Sequence, residues 1–297
     1  MRSAMWISKV GVAVLALVGS TATEAIVTAS GADPALPSGL DLSGVGALSN
    51  GCSSVLLAGG QWLLGAAHCA AGPGSTVSFA NGATASITDL VLAPDWLPGQ
   101  QVAVNDLSLM RLSAPPAGVS GFDIAVPAPL GSSVVAAGYG SGGDGLTGGV
   151  LASGTLHYGF NEYEVVLPDT ATAIYGGHVV GFDFDDGSAA HSRFGSLGLG
   201  AGEAMLASFD SGGPSFVLEG GVWKIAGIHA GIAQGLGTTF GGVGFDLQPG
   251  FYAEWIQQVT AVSEPASGAL TLAGWGAIGW AALRRRRALR DADSPAR

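Results

Sequence analysis

The chain has 297 residues, 48% of them hydrophobic and only 11% charged, a balance that excludes a disordered polymer and is ample for a buried core. Its 50 glycines carry no three-residue period, which excludes collagen, and are too many for a predominantly helical protein. The 22 acidic and 11 basic residues give a formal net charge of −11, and only Arg111, Arg193 and Lys224 lie between the two ends, which excludes binding to nucleic acid through phosphate neutralisation.

At the N-terminus, Arg2 and Lys9 are followed by the apolar run 10–18 and then by small residues. This is the three-part pattern of a secretory signal, expected as a helix over residues 1–25. Two cleavage points satisfy the small-residue rule, after Ala22 and after Ala25, and the second leaves Ile26-Val27 as the new N-terminus. From 26 to 262 the sequence shows no long helical period. Short apolar runs punctuated by glycine occupy 53–58, 62–66, 76–79, 85–92, 107–112, 133–137, 164–167 and 222–228. Their length and β-branched content predict strands in a sandwich or barrel.

Cys52 and Cys69 share one short segment and read as one disulfide in an exported protein, since a zinc site would need two more ligands. The glycine-rich stretch 140–149 reads as a mobile surface loop. Asp183, Asp185 and Asp186 bring three carboxylates together, as Ca²⁺ would require, but the full twelve-residue loop pattern is missing. The expectation there is a solvated turn, with no metal. His157, His178 and His191 read as structural or surface residues. A helix is expected at 252–259, where Trp255, Ile256 and Val259 share a face. The last segment, 263–297, contains the apolar run 266–283, long enough to span a thin bilayer as a helix, and Arg284 to Arg287, which would hold that end in the cytoplasm.

Three segments carry chemistry: Ala66-Ala67-His68-Cys69, the stretch beginning Asn105-Asp106-Leu107, and Asp210-Ser211-Gly212-Gly213-Pro214. Acyl transfer by a serine hydroxyl needs a base of intermediate pKa to take and return its proton. It also needs a carboxylate to fix the imidazole tautomer, and backbone N–H groups in a tight turn to receive the oxyanion. The three segments supply those groups in the order His68, Asp106, Ser211, with gaps of 38 and 105 residues.

On these motifs, residues 26–259 resemble the trypsin-like serine proteases of the chymotrypsin fold. The resemblance implies an all-β architecture of two antiparallel six-stranded barrels with a short C-terminal helix, the halves joining near 115–130. It implies a Ser211–His68–Asp106 triad, an oxyanion hole from the N–H groups of Phe209 and Ser211, and a disulfide between Cys52 and Cys69 bracing the histidine loop. Gly138-Tyr139-Gly140 is similar to the Gly-Trp-Gly that opens the family's second barrel. Ile26 would insert after cleavage, its ammonium pairing with Asp210. The activity implied is an endopeptidase acting on proteins or peptides, with no cofactor.

The sequence departs from the family at two places. Phe209 stands where glycine is usual, on a backbone that a bulky residue enters at a cost. Met205 stands at the base of the specificity pocket, which argues against Arg or Lys substrates. His229, Ala230 and Gly231 would line that pocket, and His229 resembles the histidine with which glutamyl-specific relatives meet a carboxylate. Its plainer reading is a packed strand histidine. The competing functions are a silent homologue acting as a binding module and an esterase using the same triad. At the other end, Val262-Ser263-Glu264-Pro265, an apolar helix and the arginine cluster resemble a PEP-CTERM sorting signal. That implies a Gram-negative envelope and an exosortase acting on the tail, the alternative being a simple transmembrane anchor.

Overall fold

Alternation with a period of two turns the short apolar runs into sheet. In Thr76–Phe79 the side chains read exposed, buried, exposed, buried, and in His157–Glu162 they alternate between buried and half-buried. The structure is a computed structural model that describes residues 26–96, 105–166 and 178–261. The expected signal over 1–25, the tail 263–297 and Leu167 lie outside the described residues. Among the described residues no helix is long and apolar enough to cross a membrane.

After a two-residue β1 (Val27–Thr28), six strands form the first half. These are β2 (Val45–Leu48), β3 (Ser53–Leu56), β4 (Trp62–Gly65), β5 (Thr76–Phe79), β6 (Thr84–Leu92) and β7 (Ser108–Leu112). They close into a barrel in the order β2-β3-β4-β7-β6-β5, every pairing antiparallel. Leu56, Leu63, Val77, Phe79, Ile87 and Met110 are buried inside.

Residues 113–132 then cross to the second half, and Phe122 from this stretch packs on Phe216 with ring centroids 4.4 Å apart. The second half contains β8 (Ser133–Gly138), β9 (Gly143–Asp144), β10 (Gly148–Gly149), β11 (His157–Glu162), β12 (Val165–Val166), β13 (Val179–Asp183), β14 (Ala204–Met205), β15 (Pro214–Glu219), β16 (Val222–Ile232) and β17 (Val243–Leu247). Seven of them form one sheet, β11-β8-β15-β16-β17-β13-β12. Its end strands β11 and β12 are separated in the chain only by Tyr163 and Glu164, so the sheet turns back on its own start. A closed six-stranded ladder is therefore observed in the first half, while the second is a seven-stranded sheet accompanied by a four-stranded one, β10-β9-β1-β14. The helix α1 (Ala253–Ala261) follows, with Ile256 buried and Trp255 and Val259 packed beside it on the core.

The glycine-rich stretch differs from the free loop expected of it. β9 and β10 pair as a hairpin, and β1 lies between β9 and β14, with Val27 opposite Gly143 on one side and Met205 on the other. Glycine is required for this close approach: a Cβ on Gly143 would sit 1.8 Å from the carbonyl oxygen of Gly148.

Candidate active site

His68 sits in a single 3-10 turn, Ala67–Cys69, that begins where β4 ends. The turn is tied down by the Cys52–Cys69 disulfide, whose Cα atoms are 6.0 Å apart. Closing a loop of 17 residues contributes roughly 3 kcal/mol by restricting the unfolded chain. Asp106 lies just ahead of β7 and is 1% exposed, whereas the His68 side chain keeps 37% exposure. One Asp106 oxygen accepts the backbone N–H of His68 at 2.8 Å and the other accepts from Nδ1 at 2.5 Å. The carboxylate thereby fixes the ring orientation and the tautomer, leaving Nε2 as the basic nitrogen. Asn105 takes a positive φ of 59°, which asparagine tolerates, and its side chain accepts from the Tyr252 hydroxyl at 2.9 Å.

Ser211 lies in a turn between β14 and β15. Gly213 N–H bonds to Asp210 O at 2.8 Å, while Gly212 N–H and His229 O, and His229 N–H and Gly213 O, latch the turn onto β16. The same turn abuts the first barrel: Ser53 N–H donates to Ser211 O at 3.0 Å. A Cβ on Gly212 would lie 2.5 Å from Ser53 O and 3.0 Å from Ala66 N. Only glycine lets the Ser211 turn come this close to the strand end that carries His68.

Phe209 adopts φ 75°, the left-handed region expected to be costly there. Its carbonyl accepts from the Ser53 hydroxyl at 3.1 Å, and its ring lies over Gly51, where an added Cβ would come within 2.9 Å. Ser53 Oγ in turn accepts the N–H of Tyr139 at 2.8 Å. Among the described residues, the N–H groups of Phe209 and Ser211 donate to no protein acceptor.

Asp210 is fully buried. Its oxygens accept from Gly140 N–H at 2.8 Å and Ala207 N–H at 2.9 Å, and the backbone of Ile26 also bonds to it. Burial pushes its carboxyl up to about 6, against the opposing effects of His229 and these N–H groups. The glycines of Gly138-Tyr139-Gly140 are explained by this carboxylate, since a Cβ on either would come within 2.5 Å of its side chain. Ile26 is buried, at φ 48°.

A cavity of about 130 Å³ opens beside Ser211, lined by Leu206, Ala207, Ser208, Ser211, His229, Gly231 and Ile232. Of the four pocket residues expected from sequence, His229 and Gly231 line it. Met205 is instead buried in the core against Val27, and Ala230 is buried outside the lining. His229 Nδ1 is 2.8 Å from Asp246 Oδ1, and Asp246 Oδ2 accepts from the Tyr163 hydroxyl at 2.8 Å. All three side chains are buried, and His229 Nε2 has no protein partner. Tyr163, its hydroxyl pushed well above the ordinary value by burial and by Asp246, stays a donor. Ser53, Tyr252, Asp246 and Tyr163, which contact these residues directly or in line, were not singled out in the sequence. Each acts through contacts far along the chain, and none sits in a local motif.

The expected solvated turn at 183–188 is only partly so. Asp186 is exposed and accepts from Ser188 N–H at 2.9 Å, but Asp183, the last residue of β13, and Asp185 beyond it are buried, beside the core residues Phe182 and Phe184. Burial pushes the carboxyls of Glu164, Glu203 and Asp185 up to about 8, about 7 and about 6.

A closed antiparallel barrel packed on a second sheet, with a His–Asp pair on one and a Ser-Gly-Gly turn on the other, defines a trypsin-like serine protease domain of all-β, chymotrypsin-like fold. Residues 37–258 match the family model described as Trypsin, well over half of the sequence, and the chain belongs to the trypsin family. Neuropsin, a serine protease expressed in the limbic system of mouse brain, is similar in structure with a TM-score of 0.55. At 17% identity over 74% of this chain and 95% of that one, the likeness shows the fold. No curated relative matches the chain.

Proposed function

We propose that the chain is an exported serine endopeptidase working through an acyl-enzyme. His68 Nε2 takes the proton of Ser211 Oγ as the hydroxyl attacks a peptide carbonyl, and then gives it to the departing amine. Water, activated by the same nitrogen, releases the acid. Asp106 holds the ring and stabilises the transient imidazolium. The N–H groups of Phe209 and Ser211 receive the oxyanion, a contribution worth about 3–4 kcal/mol per donor in comparable sites. The observation that carries this reading is the double acceptance by Asp106 from His68, with the Ser211 turn packed against the end of the same strand.

The cavity beside Ser211 would take the side chain ahead of the cleaved bond. His229 offers one unpartnered nitrogen there, with its other nitrogen held by Asp246. As an imidazolium it would donate to a carboxylate, which supports glutamate as the favoured side chain. Export is supported by the N-terminal signal pattern and by the disulfide, and the sorting tail by residues 262–287.

A serine-directed fluorophosphonate tests the chemistry. Labelling of the wild type that is lost in Ser211→Ala supports it, and no labelling would favour the silent binding module. Cleavage of esters but not of any member of a peptide library would leave the esterase reading, and a library without glutamate enrichment would remove the role of His229.

A further inference from the structure

Away from the cleft, four acids converge where β12, β13 and the approach to β14 meet. Glu164 directly precedes β12, Asp183 ends β13, Asp185 follows two residues on, and Glu203 precedes β14. Asp183 and Asp185 are 0% and 2% exposed. Part of the set is satisfied by backbone. Glu164 Oε2 accepts from Asp183 N–H at 3.0 Å, Asp183 Oδ2 accepts from Arg193 N–H, and the Glu203 oxygens accept from Asp185 N–H at 2.8 Å and from Leu199 N–H. Three oxygens are left over: Glu164 Oε1, Asp183 Oδ1 and Asp185 Oδ1 are buried with no hydrogen-bond partner. Among the described residues, no lysine, arginine or histidine forms an ion pair with these three acids.

Carboxylate oxygens buried so close together need either protons or a cation between them. Glu164, Asp183 and Asp185 each offer an oxygen within 4.8 Å of the others'. Calcium–oxygen distances of about 2.3–2.6 Å allow one ion to bridge oxygens up to about 5 Å apart, whereas magnesium, at about 2.0–2.1 Å, would need them within about 4.2 Å. The donor set is all carboxylate, without histidine or cysteine, which selects a hard cation over a transition metal.

We propose that Glu164, Asp183 and Asp185 form a Ca²⁺ site that fastens the 184–203 segment to β12 and β13. Glu203 is a positioning residue, holding Asp185 and Leu199 by their N–H groups. The segment leads through Glu203 into Met205 and Leu206, so the ion would stiffen the chain that forms one wall of the specificity cavity.

The test uses the full chain, stripped with a chelator and titrated with Ca²⁺ by calorimetry, with thermal unfolding alongside. The expected result is saturable one-to-one binding and a Tm rise of about 5–10 °C at a Ca²⁺ concentration a hundredfold above Kd. Both effects should vanish in Asp183→Asn/Asp185→Asn, with its fold checked by circular dichroism. Absence of heat and an unchanged Tm in the wild type would overturn the site and leave shared protons as the explanation. Unaltered Ca²⁺ affinity in the double variant would overturn the residue assignment. An equal response to Mg²⁺ would overturn the choice of ion.

Discussion

Ser53 and Phe209, 156 residues apart in sequence, are joined by a hydrogen bond of 3.1 Å from the Ser53 hydroxyl to the Phe209 carbonyl. Through it the first barrel holds the turn whose N–H groups would form the oxyanion hole. Ser53→Ala removes this bond and leaves the buried N–H of Tyr139 without its acceptor. The expected outcome is a loss of about 1–3 kcal/mol in urea unfolding and slower fluorophosphonate labelling of Ser211. Unchanged labelling would show that the hydroxyl does not orient the turn.

Phe209→Gly removes the Cβ clash at φ 75°, worth about 1–2 kcal/mol, while adding about 0.5–1 kcal/mol of unfolded-state entropy. The ring is half exposed, so little burial is lost. A net gain of roughly 0.5–1 kcal/mol in stability is expected, with labelling of Ser211 at least as fast as in the wild type. A slower reaction would mean that the phenylalanine is needed in its own right.

Asp210 gives a prediction in pH. With residues still attached before Ile26, its carboxyl is pushed up to about 6, above the ordinary 3.8, so the folded state binds the proton more tightly than the unfolded one. Stability is then higher below pH 3.8 and falls as pH rises from there through about 6, by about 2–3 kcal/mol in all. A free ammonium at Ile26 would reverse the sign by favouring the carboxylate. Stability curves of a chain beginning at Ile26 and one retaining Ala25 should therefore diverge between pH 4 and 6, the longer one falling. Parallel curves would exclude the ammonium pair.

Asp246→Asn tests the group behind His229. The amide can still accept from Nδ1 but removes the negative charge behind the ring, so KM for glutamyl peptides should rise about tenfold or more while the rate of fluorophosphonate labelling changes little. Equal loss on glutamyl and alanyl peptides would show that Asp246 serves packing alone.

Much of the site was legible because its residues come in short motifs. His68, Asp106 and Ser211 each stand among neighbours whose roles are local: a cysteine for the brace, a β7 strand to follow, glycines for the turn. The strands 76–79 and 85–92 were legible because one face is apolar. β2, β13 and β17 were not, since glycines at 46, 181 and 244 interrupt their apolar pattern. In each case the glycine makes room for a side chain on a neighbouring strand, at Val77, Val165 and Phe182. The 140–149 hairpin was hidden for the same reason. Nothing near Tyr163 or Asp246 in sequence announces that they stand in line behind His229, 83 residues separating the pair.

The place of β1 has a consequence for how the chain is assembled. Val27, near the start, must wait for Gly143 and then Met205 before its sheet exists. Everything up to Met205 must therefore be made before Val27 has both of its partners. Contacts of such long sequence separation are slow to form, so the β1 pairings are expected to close late in folding.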